Sequence, residues 1–225
     1  MKFFLQAFLL VFSTAIVLQS SVHAQKMNSL FSPEKPGDWH IYIAKLGRNN
    51  DPTHVFQFER NVLRVSGENF GYIVTEKKYA DFHFVVEFKW GKRKYPPREN
   101  SKRDAGVLYH VDFHDGEKVW PRSLEFQIQE GDCGDFWMTD STTIIHADTL
   151  TTPRNWLRVI KSKDAEKPNG EWNKVEIIVN KGRITHLLNG EEVNSGRLGN
   201  TTTGNIILQS EGAEIYYRNA QIKEL

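Results

Sequence analysis

Apolar and polar residues alternate along much of the chain. In the stretch LEFQIQ, residues 124–129, a leucine, a phenylalanine and an isoleucine alternate with one glutamate and two glutamines. Residues 82–90 and 106–112 alternate in the same way. A period of two residues is that of a β-strand with one buried face. These segments therefore predict strands whose second face carries polar side chains.

Strands and turns account for almost the whole sequence after the N-terminal stretch. Turn signals stand at Arg60-Asn61, Asn180-Lys181-Gly182 and Asn189-Gly190, and the last is a strong hairpin signal. No sustained 3.6-residue pattern and no repeat of fixed period occurs. Roughly ten short strands of this kind predict an all-β fold, an antiparallel β-sandwich or jelly roll. Ligands of such sandwiches bind on a curved outer face of one sheet.

The first residues predict a secretory signal peptide. A Met-Lys start, an apolar stretch and the ending VHA occupy residues 1–24, with cleavage expected after Ala24. Polar interruptions disfavour the alternative, an uncleaved membrane anchor. We therefore expect an exported protein, periplasmic or secreted, with no membrane span after cleavage. Residues 25–225 are long enough for a single domain with its own core.

Charge and cysteine content exclude several classes of protein. The formal net charge is only +1, with acidic and basic residues well mixed, so nucleic-acid binding is not expected. The basic run at residues 91–103 contains a proline pair and predicts a solvated loop. The single cysteine, Cys133, excludes an internal disulfide. Flanking acids raise the pKa of a thiol, so Cys133 is expected to be structural.

Polar side chains on several strands predict a carbohydrate site. Carboxylates and amides hydrogen-bond hydroxyls, and indole rings stack on the C–H face of a pyranose. A solvated outer sheet is the alternative, with Glu87 in a cross-strand ion pair and His110 hydrogen-bonded within the sheet. If the strands are neighbours, the following side chains converge: Glu87, Lys89, His110, Glu125, Gln127, Gln129 and Gln209, with Trp90, Trp120 and Trp137 nearby.

Two acidic turns raise the question of a metal. Asp132 and Asp135 lie in a glycine-containing turn, where they could bind Ca²⁺ or hydrogen-bond the backbone of their own turn. The spacing lacks a full calcium-loop pattern, so we favour the turn role. Asp112, His114 and Asp115 resemble a metal cluster only superficially. A divalent cation is the one cofactor that the sequence leaves open.

Three motifs together resemble the 3-keto-disaccharide hydrolase domain family. They are DAGVLYHV, SLEFQIQEGDCGDFW and NIILQSEGAEIYYRNAQIKEL, and the resemblance extends over roughly residues 35–225. Asp104-Ala105-Gly106 stands where the family pattern has Asn-Ser-Gly. The resemblance implies a concanavalin A-like jelly roll that cleaves glycosides already oxidised to a ketone at C3. An oxidoreductase that supplies the 3-keto sugar would then be a partner.

Cleavage of such a glycoside needs a base near C2, a group that stabilises the enolate and an acid for the leaving group. We expect Glu125 or His110 as the base and Glu87 as the acid. Gln127, Lys89 or a bound cation would stabilise the enolate. Two alternatives stay open: a lectin-like glycan-binding module, and a conventional glycosidase with two carboxylates. The residues expected to bind substrate are Gln127, Lys89, Arg122, Trp120, Trp137 and Gln209.

Overall fold

The computed structural model describes residues 26–225, and the predicted signal peptide lies outside the described residues. No helix in the described part is long and apolar enough to cross a membrane. A short 3-10 helix spans Pro36–Asp38. The strands are β1 Asn28–Ser29, β2 Trp39–Ile43, β3 Gly47–Arg48, β4 Phe56–Glu59, β5 Val62–Val65, β6 Gly71–Thr75, β7 Phe82–Lys94, β8 Gly106–Asp112, β9 Arg122–Gln127, β10 Phe136–Thr139, β11 Ile144–His146, β12 Thr149–Leu150, β13 Trp156–Val159, β14 Asn173–Asn180, β15 Arg183–Leu188, β16 Glu191–Leu198, β17 Asn205–Ser210 and β18 Ala213–Glu224.

These strands form two antiparallel sheets packed face to face. The front sheet has eight strands in the order β13-β10-β9-β8-β17-β6-β2-β3. The back sheet has ten, in the order β12-β11-β16-β15-β14-β7-β18-β5-β4, with β1 on β18. The predicted all-β sandwich of the jelly-roll type is therefore confirmed. Strands distant in sequence are neighbours in both sheets. In the front sheet β8 pairs with β17, and in the back sheet β7 pairs with β18.

The core lies between the sheets and follows the predicted alternation. Leu124, Phe126 and Ile128 of the front sheet are fully buried in it, as are the phenylalanines of β7. Burial of each such side chain contributes about 1.5–3 kcal/mol. Trp90, which was expected near the polar groove, lies in this core with 3% of its surface exposed. The expectation for Trp90 was wrong because its strand belongs to the back sheet.

A β-bulge in β8 breaks the predicted alternation. His110 has a φ of +50°, and the register of β8 against β9 shifts between Tyr109 and Asp112. A bulge adds one residue to a strand and so reverses the facing of the residues beyond it. Val111, predicted to face the core, instead lies in a small apolar cluster on the outer side of the front sheet. The ring of His110 hydrogen-bonds through Nε2 to the carbonyl of Ala80 at 2.9 Å.

Candidate active site on the front sheet

The outer face of the front sheet carries a groove of about 450 Å³. Its floor comes from β9, where Glu125 and Gln127 point away from the core residues of the same strand. Cross-strand pairing places Glu125 beside Leu108 of β8 and Trp137 of β10. The lining consists of Arg98, Asp104, Trp120, Glu125, Gln127, Gln129, Trp137, Trp156 and Glu211.

Gly106 creates the space that the groove floor needs. A Cβ atom at this position would lie 2.0 Å from Glu125 Oε1 and 2.5 Å from Gln209 Oε1. Real Cβ atoms do not come so close to other atoms, so only glycine lets both side chains occupy the space above β8. The glycine of the DAG motif therefore has a steric role, and it brings Gln209 of β17 beside Glu125.

Three carboxyl groups and one guanidinium meet in the groove. Arg98 hydrogen-bonds the Asp104 carboxylate, and its Nη2 lies 3.6 Å from Oε1 of Glu211. The indole Nε1 of Trp120 donates to the same Glu211 oxygen at 2.7 Å. Within residues 26–225 no group hydrogen-bonds to the carboxyl of Glu125, although only 5% of this residue is exposed. A single cation thus balances three buried acids.

Burial and mutual repulsion hold protons on these acids. Burial, followed by the charges of Glu211 and Asp104, raises the pKa of Glu125 well above its usual range. Burial and the nearby Asp104 raise the pKa of Glu211 to about 7, against the opposing effects of Arg98 and the Trp120 hydrogen bond. Burial also raises the pKa of Asp104, although Arg98 opposes it. The groove therefore combines Glu125, whose protonated form burial favours, with Glu211, which is near the midpoint of its titration at neutral pH.

The raised pKa of Glu211 predicts a change in the pH dependence of stability. The folded state holds this proton up to about pH 7, whereas the unfolded state releases it near pH 4.5. Stability from the neutral form is thus complete below pH 4.5 and is lost as pH rises through 7. Glu211→Gln stays neutral, so its free energy of unfolding is expected to exceed that of the wild type above pH 7. The gain is at most about 3 kcal/mol, the equivalent of this pKa displacement.

Urea unfolding of both proteins at pH 5 and pH 8 measures this difference. Glu59→Gln is the matched control, because Glu59 is an exposed residue of β4 in the back sheet. The quantity to compare is the difference in free energy of unfolding between Glu211→Gln and the wild type at each pH. If this difference is the same at pH 5 and pH 8, the Glu211 carboxyl ionises normally in the folded protein.

Several buried polar atoms around the groove have no hydrogen-bond partner in the described part of the chain. They are Nε1 of Trp137, Oδ1 of Asp104 and Oε1 of Gln209. Leaving such groups unpaired costs about 1–3 kcal/mol each. One is a donor and two are acceptors, so a ligand with several hydroxyl groups satisfies them all. Together with the three indoles of the lining, they suit a sugar ring.

The predicted convergence of polar residues is correct for one sheet only. Glu125, Gln127, Trp120 and Trp137 line the groove, and Gln209 lies next to it. Gln129, the third polar residue of the motif, donates through Nε2 to Oδ2 of Asp104 at 2.8 Å. These residues meet because β8, β9, β10 and β17 are successive neighbours in the front sheet.

Glu87 and Lys89 are on the other side of the sandwich. Their strand, β7, lies in the back sheet between β14 and β18. Glu87 accepts hydrogen bonds from Nη2 of Arg218 at 2.6 Å and from Nδ2 of Asn219 at 2.8 Å. The ammonium of Lys89 lies 5.1 Å from the ring centroid of Trp172. The expectation that Glu87 and Lys89 join Glu125 was wrong, because the whole core separates them from the groove.

His110 and Arg122 are also outside the groove. The bulge turns the ring of His110 toward Phe82, at 5.9 Å between ring centroids. Arg122 stands three residues before Glu125, and alternation puts it on the opposite side of β9. Its Nη2 donates to the carbonyl of Asn200 at 3.4 Å. The expected positions of both residues beside Glu125 were therefore wrong.

Several groove residues that lie outside regular strands were missed from sequence. Arg98 belongs to the basic run that was predicted as a solvated loop, yet its guanidinium reaches the acids. The loop is fastened where the amide of Tyr95 donates to the carbonyl of Gly212 at 2.8 Å. Asp104 lies two residues before β8 and Glu211 directly follows β17, each within one of the quoted motifs. For Asp104 and Glu211, the available sequence signal was an acidic residue close to the end of an apolar strand. Trp156 gave no signal beyond being a tryptophan.

The acidic turn after β9 forms ion pairs instead of the expected bonds to its own backbone. Asp132 pairs with Lys102 at 2.9 Å and with Arg158 at 3.0 Å. Asp135 is fully buried and accepts from the amide of Lys161 at 2.7 Å, so the favoured turn role was wrong. Burial raises the pKa of Cys133 between them well above its usual range, in line with the structural role predicted for it.

One group among the described residues brings three metal-ligating side chains together, namely His114, Asp115 and Asp140. The ammonium of Lys118 lies 2.9 Å from Asp140 and 3.6 Å from Asp115. It already supplies the positive charge that a metal ion would bring, and all four side chains are about one-third exposed or more. These residues do not fit a dedicated cation site.

The groove continues past its aromatic wall. Trp120 and Trp156 meet edge to face, with ring centroids 5.7 Å apart and planes at 79°. On their other side lies a second chamber of about 490 Å³, whose polar lining includes Lys118, Asp140 and Asn155. Each chamber has the volume of a typical small-ligand site. The two chambers share Trp120 and Trp156 in their linings.

Comparison with known proteins identifies a family from the sequence and related structures from the fold. The family described as the 3-keto-alpha-glucoside-1,2-lyase-like domain matches residues 26–223. No curated protein matches the chain. Three solved structures share the fold. A proposed glycosyl hydrolase from Parabacteroides distasonis is 22% identical, with 89% of this chain and 100% of that chain covered and a TM-score of 0.58. The carbohydrate-binding module CBM66 from Bacillus subtilis is 9% identical, with 83% and 96% covered and a TM-score of 0.56. LamAcat from Zobellia galactanivorans is 10% identical, with 83% and 90% covered and a TM-score of 0.52.

Proposed function

The chain belongs to the 3-keto-alpha-glucoside-1,2-lyase-like domain family, which is carbohydrate-active, and on this premise we propose that it cleaves 3-keto-α-glucosides by elimination across C1 and C2. The supporting observation is the groove itself, where three buried acids with raised pKa values lie beside one guanidinium and three indoles. A binding module has no need of such acids, whereas proton transfer at neutral pH does.

The first step removes the proton from C2 of the oxidised sugar. The ketone at C3 acidifies this hydrogen, and Glu211, with a pKa of about 7, has the basicity that general-base catalysis favours at neutral pH. The proton moves to the Glu211 carboxylate, and the electron pair of the C2–H bond becomes the C2=C3 bond of an enolate. The guanidinium of Arg98 and the unpaired indole N–H of Trp137 would stabilise the negative oxygen at C3.

The second step breaks the glycosidic bond. The C3 carbonyl re-forms, a C1=C2 bond forms, and the C1–O bond breaks as the leaving oxygen takes a proton from Glu125. Burial and the neighbouring acids raise the pKa of Glu125 and so favour its protonated form, which supports an acid role instead of the base role expected from sequence. Addition of water to the product, with oxygen at C1 and hydrogen at C2, would complete a net hydrolysis. A separate oxidoreductase would first convert the C3 hydroxyl to the ketone.

Two other functions are compatible with a sugar-binding sandwich. A conventional glycosidase needs two carboxylates about 5–9.5 Å apart across the bond that is cleaved. Glu87 and Glu125 cannot form this pair, because they lie on different sheets, which leaves Asp104 or Glu211 as the partner of Glu125. A glycan-binding module would use the same groove without cleaving its ligand.

A direct assay separates the three functions. Purified protein is incubated with a 3-keto-α-glucoside carrying a chromogenic leaving group, with its unoxidised parent, and with each compound after addition of a chelator. Release from the keto compound alone is the expected result. Release from the unoxidised parent would identify a conventional glycosidase, and binding without release from either would identify a binding module. Loss of release with chelator would show that a metal ion takes part.

The pKa of Glu211 and the raised pKa of Glu125 predict a bell-shaped pH profile. Glu211 must be ionised to act as the base, so kcat/KM is expected to rise with pH around a midpoint of about 7. Glu125 must stay protonated, so the rate falls again at higher pH. Initial rates across the pH range, on a 3-keto-α-glucoside with a sugar leaving group that must be protonated, measure both limbs. A rate that falls through pH 7 instead would exclude Glu211 as the base.

A further inference from the structure

A buried histidine joins three segments at one end of the front sheet, away from the groove. His40 of β2 is 4% exposed. Its Nδ1 lies 2.7 Å from Oε1 of Glu76, which directly follows β6. Its Nε2 lies 2.5 Å from Oε1 of Glu117, in the loop between β8 and β9. Arg48 also hydrogen-bonds Glu76, so the carboxylate on this side of the ring is shared with a cation.

The loop that His40 contacts also supplies the wall of the groove. Residues 113–121 form no regular secondary structure. Glu117 precedes Trp120 by three residues, and the indole of Trp120 donates to Glu211. Between them, Lys118 pairs with Asp140 at the chain reversal after β10. Side-chain contacts therefore hold the loop at Glu117, Lys118 and Trp120. The contact at Glu117 is made by His40, a buried residue of strand β2.

We propose that His40 is a positioning residue, which acts through Glu117 to hold the Trp120 indole N–H against the carboxylate of Glu211. The loop at residues 113–121 must be held in one conformation for Trp120 to donate to Glu211. Fixing the backbone of each residue costs about 1–2 kcal/mol of conformational entropy. The hydrogen bond from His40 of β2 to Glu117 is the anchor that helps to offset this cost. The inference rests on the proposed function, because Glu211 is the base in that mechanism.

The anchor has a consequence that can be measured at Glu211. The hydrogen bond from Trp120 stabilises the charged carboxylate and so lowers its pKa, against the effect of burial. If Trp120 moves away, this pKa rises above about 7 and the base is ionised only at higher pH. Loss of the anchor should therefore shift the acid limb of the pH profile, which a loss of general stability would not do.

Two substitutions of His40 separate its two hydrogen bonds. The amide nitrogen of asparagine corresponds in position to Nδ1, and that of glutamine corresponds to Nε2. His40→Asn thus keeps a nitrogen in place to hydrogen-bond Glu76 and loses the contact with Glu117, whereas His40→Gln does the reverse. His83→Asn is the matched control, because His83 hydrogen-bonds Glu176 at 2.9 Å on the back sheet.

The readouts are the pH profile and the indole N–H resonance of Trp120 in ¹H–¹⁵N spectra, assigned from Trp120→Phe. We expect His40→Asn to raise the midpoint of the acid limb of the pH profile by about half a pH unit or more. The midpoint of the pH titration of the Trp120 resonance should rise by the same amount. We expect His40→Asn to lower kcat by about tenfold with little change in KM. His40→Gln and His83→Asn should stay close to the wild type. Should His40→Asn fail to fold, Glu117→Ala removes the same hydrogen bond from its partly exposed end.

Equal behaviour of His40→Asn and His40→Gln, or of His40→Asn and His83→Asn, would overturn the proposal. An unmoved Trp120 resonance would do the same. The failure of the proposed function is a different result, namely a wild type that does not cleave the keto substrate at any pH. The titration of the Trp120 resonance needs no turnover, so it still decides whether His40 positions this indole.

Discussion

Glu125→Gln is expected to reduce the cleavage of a 3-keto-α-glucoside with a sugar leaving group by about 10²–10⁴-fold, the usual contribution of a general acid. Glutamine has nearly the size of the protonated acid but has no acidic proton to give to the leaving oxygen. Because the pKa of Glu125 is raised well above its usual range, the fold already favours the neutral form of this side chain. The substitution should therefore leave the fold and its stability unchanged, which circular dichroism and urea unfolding would check.

The leaving group decides whether Glu125 is an acid or a base. A nitrophenolate leaves without a proton, so the Glu125→Gln variant should recover much of its rate on a 3-keto nitrophenyl glucoside. Loss of the base would instead impair both substrates equally. Glu59→Gln, on the exposed side of β4, is the control for a change of the same chemistry outside the groove. Full activity of Glu125→Gln on both substrates would remove this residue from the mechanism.

Gly106→Ala is expected to disable the groove by sterics alone. The new methyl group would lie 2.0 Å from Oε1 and 2.7 Å from Cδ of Glu125, so the carboxyl must move. A displacement of about 1 Å is enough to lower the rate by about 100-fold. Overpacking of this kind also costs about 1–3 kcal/mol of stability. Neither effect requires a change in the acids themselves.

Kinetics and unfolding of Gly106→Ala should be compared with those of Gly37→Ala. A methyl group on Gly37 would have no other atom within 4 Å, and this glycine has no positive φ, so its substitution adds the same group in open space. We expect the control to match the wild type in rate and stability. If Gly106→Ala turned over substrate at the wild-type rate, the close contact with Glu125 would have no part in catalysis.

Local pattern was enough to predict most of the long strands and, where no bulge intervenes, the face that their polar side chains take. Hairpin signals such as Asn189-Gly190 and the alternation of LEFQIQ depend on residues that are adjacent in sequence. Both were therefore visible without a fold, and the jelly roll and the role of Glu125 and Gln127 as groove residues followed from them. The family motifs added the substrate class, which no alternation pattern contains.

Pattern alone could not assign a strand to a sheet. The strands β7 and β9 show the same alternation, yet one lies in the back sheet and the other in the front sheet. Glu87 and Glu125 thus have the same local signal and end on opposite sides of the core. The bulge at His110 is a second case, because a single inserted residue reverses the facing of a strand without changing its composition.

The amino-acid sequence by itself determined the all-β class, the buried face of the regular long strands and the presence of a polar, aromatic surface suited to sugars. Only the tertiary structure decided which acids share that surface. Arg98, Asp104 and Glu211 come from loops and strand ends, two of them far from the third in sequence, and they meet because β8 pairs with both β9 and β17. The raised pKa values of the acids follow from burial and from mutual repulsion over short distances, and both exist only once the sheets have packed.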